Sequence, residues 1–129
     1  MVRFVLDASA VLAWLFGERG EEVVDEMLEH AVISTVNLAE VLYRADEEGM
    51  ATGALQRDLE ALGVQVAPFL DEDARRLVEV RRTARRQEAR LSLADCCCLA
   101  TGIRFGLPVV GADQVWTSLR LGVEVIPLR

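Results

Sequence analysis

The chain has 129 residues, of which 52% are hydrophobic and 27% are charged, so it is long enough and apolar enough to bury a globular core. Its 14 basic residues are all arginine, and the absence of lysine excludes chemistry that needs one, such as a Walker phosphate loop or a Schiff base. The net charge of −7 argues against nonspecific binding of nucleic acid, although two bound divalent cations would add +4 and leave −3.

Apolar runs and glycine breaks predict strands that alternate with helices along the chain. The predicted strands are 2–6, 31–34, 64–69, 108–110 and 123–126. The predicted helices are 8–16, 21–30, 36–48, 52–62, 71–90, 92–105 and a short 115–119. Ser9 is the predicted cap of the first helix. Strands that alternate with helices imply a three-layer α/β/α fold with a parallel sheet, and nothing marks a second domain within 1–129.

The chain gives no sign of a membrane segment or of an oxidising compartment. No apolar run approaches the roughly 20 residues that span a bilayer, and Asp7 interrupts the only candidate for a signal peptide. Cys96, Cys97 and Cys98 are consecutive, and neighbours on a helix point about 100° apart, so we expect them to pack in a helix rather than chelate one metal. Reduced cysteines favour a cytoplasmic protein.

Four carboxylates each stand alone in a stretch without other charges. Asp7, Glu40, Asp95 and Asp113 are the only charged residues in 4–17, 31–43, 91–103 and 105–119, respectively. An ionised carboxylate near a core needs a partner, and no arginine within these stretches supplies one. Four such acids from four separate segments indicate that the partner is a metal cation.

The positions of these acids allow them to meet in one site. Asp7 and Asp113 follow predicted strands, where ligands bind in open α/β sheets, and Glu40 and Asp95 lie early in predicted helices. Oxygen ligands select Mg²⁺ or Mn²⁺ over zinc. A divalent ion held by carboxylates activates water and neutralises charge on a phosphate, so the pattern favours phosphodiester hydrolysis without a covalent intermediate.

Each acid also has a simpler interpretation when it is taken alone. Asp95 with Ser92 has the spacing of a capping box, Asp7 and Asp113 would serve as caps or turn residues, and Glu40 would be a solvated helix residue. A phosphatase or phosphoacceptor domain would also use an aspartate after a strand, but such mechanisms usually recruit a lysine. These alternatives do not explain why all four charges are isolated in apolar stretches.

The residues around the four acids match a known pattern. The segments are Val5-Leu6-Asp7-Ala8-Ser9, Val36-Asn37-Leu38-Ala39-Glu40-Val41, Leu91-Ser92-Leu93-Ala94-Asp95 and Ala112-Asp113-Gln114-Val115-Trp116. In this order and spacing, over nearly the whole chain, they resemble the PIN domain, and within it the VapC-type toxin ribonucleases.

That resemblance implies an endoribonuclease that depends on Mg²⁺ or Mn²⁺ and is the toxin of a type II toxin–antitoxin pair. It also implies a five-stranded sheet in the order 3-2-1-4-5, a homodimer, and an antitoxin whose C-terminal segment occupies the active-site groove. By the same resemblance Asp7, Glu40, Asp95 and Asp113 would be the catalytic, metal-binding acids, and Ser9 would support Asp7 by hydrogen bonding.

Two positions depart from the family pattern. Gly111 stands two residues before the fourth acid, where the family usually has Thr or Ser, and losing such a supporting hydroxyl would weaken a metal site by roughly 10–100-fold. Cys96 follows the third acid, where related toxins often have a basic residue. An alternative function is therefore a catalytically impaired PIN-like module that binds RNA or protein.

Seven arginines crowd the helix predicted for 71–90. They are Arg75, Arg76, Arg81, Arg82, Arg85, Arg86 and Arg90. They would form a solvated face with the ion pairs Glu72–Arg76 and Glu79–Arg82. The alternative is contact with the RNA backbone, for which Arg82, Arg85 and Arg86 are the candidates.

Overall fold

The structure, a computed structural model that describes residues 1–128, contains a parallel sheet of five strands. The strands are β1 (Phe4–Leu6), β2 (Ala31–Ser34), β3 (Gln65–Ala67), β4 (Val109–Gly111) and β5 (Val125–Pro127). Their order is β3-β2-β1-β4-β5, and every pairing is parallel. Both the predicted parallel sheet and its order are confirmed.

Helices connect the strands. They are α1 (Ala8–Leu15), α2 (Glu21–Met27), α3 (Thr35–Glu47), α4 (Leu55–Ala61), α5 (Asp71–Arg86) and α6 (Leu93–Phe105). Two 3-10 helices, Leu28–His30 and Gln114–Ser118, follow α2 and β4. Six of the seven predicted helices are present as α-helices and the short seventh is a 3-10 helix.

Three details of the helix predictions were wrong. α5 ends at Arg86 instead of residue 90, because Glu88 has a positive φ of 61° that a helix does not tolerate. The cap of α1 is Asp7 and not Ser9: Asp7 has extended backbone, and its carboxylate accepts a hydrogen bond from the Ser9 N–H. The helix predicted for 52–62 begins only at Leu55, whereas the helix predicted for 21–30 is present to His30 and changes from α-helix to 3-10 helix after Met27.

The sheet carries a hydrophobic core on each face. Because side chains alternate along a strand, Leu6, Ile33 and Val110 pack against α1 to α4, whereas Val5 and Val109 pack against α5 and α6. The result is the predicted three-layer arrangement, with the carboxyl ends of the strands left at one edge. Cys96, Cys97 and Cys98 are free and buried in α6, as predicted.

α5 and α6 form an antiparallel hairpin that a buried ion pair holds at one end. The Nε of Arg104 donates to both carboxylate oxygens of Asp73, at 2.9 and 3.1 Å, and Asp73 is fully buried. Asp73 also accepts from the Leu70 N–H at 2.9 Å, and Arg104 donates to the Pro68 carbonyl at 2.9 Å. The start of α5 thus lies beside the end of α6, and the last turns of α5 lie beside the first turn of α6.

Among the helices within residues 1–128, none combines the length and the apolarity needed to cross a bilayer.

The ion pair gives a prediction about stability. Asp73→Asn keeps the size of the side chain but leaves the Arg104 guanidinium without its carboxylate, so we expect the free energy of unfolding to fall by about 3 kcal/mol. Glu72→Gln removes the same charge one residue away, where the carboxylate lies 4.0 Å from Arg76 and is half exposed, and should cost less than about 0.5 kcal/mol. Urea unfolding followed by circular dichroism measures both, and equal losses would contradict a special role for the pair.

Candidate active site

Asp7 lies at the junction of the central strand β1 and helix α1. Its backbone N–H donates to the Val110 carbonyl at 2.9 Å, which ties it to β4, and only 6% of the residue is exposed. The Ser9 hydroxyl donates to Asp7 Oδ2 at 2.6 Å and accepts from the Ala112 N–H at 2.9 Å. Ser9 therefore fixes the Asp7 carboxylate against the chain that follows β4.

Glu40 and Asp95 are brought together by a buried polar link between α3 and α6. Ser34 caps α3: its hydroxyl accepts from the Asn37 N–H at 3.2 Å and donates to Asn37 Oδ1 at 2.7 Å. The fully buried Asn37 then donates from Nδ2 to the Ala94 carbonyl at 3.1 Å. Since Glu40 follows Asn37 by one turn and Asp95 follows Ala94 directly, the link sets the position of both acids.

Asp95 belongs to the capping box that the sequence suggested. The Ser92 N–H donates to Asp95 Oδ2 at 3.0 Å, and the Asp95 N–H donates to the Ser92 hydroxyl at 3.1 Å. Asp95 does more than cap α6, because its carboxylate also raises the pKa of both Asp7 and Glu40. One carboxylate thus starts α6 and faces the other acids.

Asp7 and Glu40 lie in an environment that disfavours their charged forms. Burial raises the pKa of Asp7 from 3.8 to about 6, and the Asp95 and Glu40 carboxylates add to this rise, whereas hydrogen bonds from Ser9 oppose it. Burial, and then Asp95, raise the pKa of Glu40, and Arg44 opposes that rise. Within residues 1–128 none of the three carboxylates forms a salt bridge. Their mutual repulsion is therefore left without a neutralising side chain in contact.

Asp113 lies at the same edge of the sheet, just past β4. It follows β4 by two residues, is exposed, and accepts a hydrogen bond from the Val115 N–H at 2.9 Å as the cap of the second 3-10 helix. It is not among the charges that shift the pKa of Asp7 or Glu40. Three of the four predicted acids are thus brought within electrostatic reach of one another, and metal binding by all four stays a prediction.

The donor set fits a hard divalent cation that keeps part of its water shell. In residues 1–128 no three His, Cys, Asp or Glu side chains are arranged so that they could hold a metal ion together. Mg²⁺ does not need such a cage, because it usually binds through one or two carboxylates and several waters. One oxygen of Asp7 and one of Asp95 are already held by Ser9 and Ser92, which leaves the other oxygen of each for such an ion.

Gly111 leaves space beside Asp7 that a tryptophan ring borders. A Cβ at position 111 would lie 3.4 Å from Asp7 Cβ, 3.5 Å from Asp7 Oδ2 and 3.4 Å from Trp116 Cζ3. A Ser or Thr at this position would bring its hydroxyl close to Asp7, so the departure seen in the sequence removes a potential hydrogen bond. Trp116 is buried, and its Nε1 has no hydrogen-bond partner among the described residues.

The sequence interpretation missed several supporting residues. Asn37 entered the sequence analysis only as part of the segment around Glu40, although Ser34 three residues earlier has the spacing of a helix cap. No sequence signal marked Trp116 as a neighbour of position 111. The predicted RNA contacts Arg82, Arg85 and Arg86 line an open cleft of about 330 Å³ on α5.

The chain is similar to a known family in sequence and to known proteins in structure. The family model of the PIN domain matches residues 4–120. No curated protein matches the sequence significantly. Among solved structures, FitAcB from Neisseria gonorrhoeae is similar with a TM-score of 0.75 and 20% identity over 97% of each chain. DNA-bound VapBC from Salmonella typhimurium gives 0.72 and 17% over 100% of each chain, and a toxin–antitoxin complex from Klebsiella pneumoniae gives 0.71 and 22% over 97% of each.

The position of Ser9 between Asp7 and Ala112 predicts a structural effect of its removal. Ser9→Ala leaves the Ala112 N–H without its acceptor and should lower the free energy of unfolding by about 1–2 kcal/mol, with faster amide hydrogen exchange at Ala112. Ser118→Ala, which removes an exposed hydroxyl bonded only within its own 3-10 turn, is the matched control. Unchanged stability and unchanged exchange at Ala112 in Ser9→Ala would contradict the link.

The raised pKa of Asp7 predicts a pH-dependent cost to stability. The pKa of Asp7 is 3.8 in the unfolded chain and about 6 in the folded chain. The charged Asp7 carboxylate therefore lowers the free energy of unfolding, and this loss of stability is complete above pH 6. In metal-free buffer at pH 8, Asp7→Asn should therefore raise the free energy of unfolding by up to about 3 kcal/mol, and the gain should vanish as the pH falls to 4. Asp46→Asn, at an exposed position on α3, should show no such trend. Urea unfolding across this pH range measures the difference, and a gain that does not depend on pH would refute the assignment.

Proposed function

The chain belongs to the PIN domain family, and on that premise we propose that it is a metal-dependent endoribonuclease that hydrolyses RNA phosphodiester bonds as the toxin of a type II toxin–antitoxin pair. One observation carries the proposal: the Asp95 carboxylate raises the pKa of both Asp7 and Glu40, which come from two other segments, and within residues 1–128 no salt bridge neutralises any of the three. Carboxylates that the fold holds together although their charged forms are disfavoured are typical of a cation site.

Some residues of the site would bind an ion, and others hold the ion's ligands in position. Asp7 and Asp95 would bind Mg²⁺ or Mn²⁺ directly, and Glu40 and Asp113 would bind it directly or through water. A bound divalent ion supplies a nucleophilic water and neutralises charge that develops on the phosphate. Ser9 keeps Asp7 in place, and the link from Asn37 to Ala94 keeps the helix of Asp95 against the helix of Glu40.

The thiols next to the site do not offer a competing nucleophile. Burial raises the pKa of Cys97 to about 11 and that of Cys98 well above its usual value, and burial and the Asp95 carboxylate raise that of Cys96. Thiols with raised pKa values are protonated at neutral pH and are poor nucleophiles. This supports direct attack by water without a covalent enzyme intermediate. The same free, buried thiols agree with our proposal that the protein works in the cytoplasm.

The partner that we propose is a cognate antitoxin. The similar structures named above come from complexes described as VapBC, FitAcB or toxin–antitoxin, and they share the fold of this chain over nearly its full length. The homodimer stays a prediction from the family resemblance, and light scattering on the purified chain measures it.

The second candidate is a PIN-like module that binds RNA or protein without cutting RNA. One observation favours it: Gly111 provides no hydroxyl for Asp7. Calorimetric titration with Mn²⁺ near neutral pH distinguishes the two functions. The enzyme binds the ion, whereas an impaired module releases no heat of binding.

The proposed enzyme makes a direct prediction about RNA cleavage. The purified protein should cut single-stranded RNA with Mg²⁺ or Mn²⁺, and EDTA should stop the reaction. Asp7→Asn and Asp95→Asn should each lower the rate by at least about 100-fold, because each removes a charged ligand while keeping the hydrogen-bond acceptor that Ser9 or Ser92 needs. Gel electrophoresis of a labelled RNA measures the rates.

The controls separate catalysis from folding. Asp46→Asn removes a carboxylate from the exposed part of α3 and should cut at the wild-type rate. Circular dichroism should show that all three variants are folded. Cleavage that survives EDTA, or that proceeds normally in both site variants, is incompatible with metal catalysis at these acids.

A further inference from the structure

A cleft rich in arginine lies beside the candidate active site. Its volume is about 410 Å³, and it is lined by Arg81, Arg85, Arg90 and Leu91. It lies where the last turns of α5 meet the loop that leads into α6. Leu91 immediately precedes Ser92, the residue that caps the helix of Asp95.

The fold places this cleft at the end of the hairpin where α6 begins and carries Asp95. Because the Asp73–Arg104 pair joins the start of α5 to the end of α6, the arginines at the end of α5 are adjacent to the first turn of α6. Since Leu91 lines the cleft and directly precedes Ser92, the cleft borders the turn of α6 that carries Asp95.

The charges of these arginines are not used within the fold. In residues 1–128, Arg76 and Arg104 have carboxylate partners, but Arg81, Arg85 and Arg90 form no salt bridge. The ion pair predicted between Glu79 and Arg82 is also absent from the described residues, whereas Glu72–Arg76 is present at 4.0 Å. Ion pairs therefore balance the arginine charge at the start of α5 but not the arginine charge at its end.

We propose that Arg81, Arg85 and Arg90 form a subsite that binds backbone phosphates of single-stranded RNA next to the bond that is cut; this inference rests on the proposed function. Guanidinium groups bind phosphate through paired hydrogen bonds, and three of them in one cleft offer contacts to more than one phosphate of a strand. Residues 81–90 contain five arginines and one acid, Glu88, in a chain whose net charge is −7. A polyanion approaches such a protein where the local charge is positive.

The subsite differs from the contacts that the sequence suggested. Arg85 lines both clefts, but Arg82 and Arg86 line only the cleft that has no wall from the α5–α6 loop. We assign Arg82 and Arg86 to solvent, outside the proposed subsite. The cleft has no aromatic lining, so it would hold the backbone of RNA without reading its bases.

Matched double variants test the subsite by binding and by cleavage. Arg81→Gln/Arg90→Gln removes two charges from it, and Arg82→Gln/Arg86→Gln removes two charges from the same helix outside it. The probe is a fluorescein-labelled single-stranded RNA of mixed sequence, and its affinity is measured by anisotropy in EDTA at several salt concentrations. Cleavage of the same RNA is then measured with Mg²⁺.

We expect the Arg81/Arg90 variant to bind the RNA at least about ten-fold more weakly and to lose about 1.4 from the slope of log affinity against log salt, which is about 0.7 for each lost phosphate contact. Its kcat/KM should fall to a similar extent, with kcat almost unchanged, because the contact is made before and during cleavage. The Arg82/Arg86 variant should stay within about two-fold of wild type.

Other outcomes overturn the inference in distinguishable ways. Wild-type RNA affinity and salt dependence in the Arg81/Arg90 variant, with normal cleavage by the wild type, would remove the subsite and leave the nuclease. Equal losses of RNA affinity in both double variants would show that the total charge of α5 binds RNA and that there is no specific subsite. If the Arg81/Arg90 variant lost affinity for poly-glutamate but bound RNA like the wild type, the cleft would be a site for an acidic peptide and not for RNA. A wild-type protein that neither binds nor cuts RNA would end both the inference and the proposed function.

Discussion

The mutual repulsion of Asp7, Glu40 and Asp95 is the constraint on which the rest of the structure depends. The hydrogen bonds that hold them are also bonds that build the fold: Ser9 joins α1 to the end of β4, and Asn37 joins α3 to α6. Separating the carboxylates would therefore break the connections between layers. A cation that binds between these carboxylates removes their repulsion and so raises the free energy of unfolding. The stability of the fold and the binding of the cation are therefore coupled.

The topology explains why residues so far apart in sequence can act together. β1 is the central strand and pairs with both β2 and β4, so Asp7 at its end faces the elements that follow both neighbours. The α5–α6 hairpin then brings two opposite charges to the same place, Asp95 at the start of α6 and the arginines at the end of α5. The buried pair of Asp73 and Arg104 fixes this arrangement from the far end.

The parts of the structure that depend on local pattern could be predicted from the sequence, and those that depend on distant partners could not. Isolated acids and buried strands are visible in short windows, as is the Ser92–Asp95 capping box. The Asp73–Arg104 pair joins residues 31 apart, and the Asn37–Ala94 bond joins residues 57 apart, so no local pattern reveals them. The early end of α5 rests on a positive φ at Glu88, a conformation rare for glutamate.

The most direct test of the central claim is anomalous diffraction from crystals grown with Mn²⁺ above pH 6, where the Asp7 carboxylate is charged. The proposal predicts an anomalous peak within about 2.2 Å of oxygens of Asp7 or Asp95, with waters completing the coordination of the ion. A map with no peak at these acids, or with manganese only elsewhere on the protein, would contradict the claim that they form a cation site.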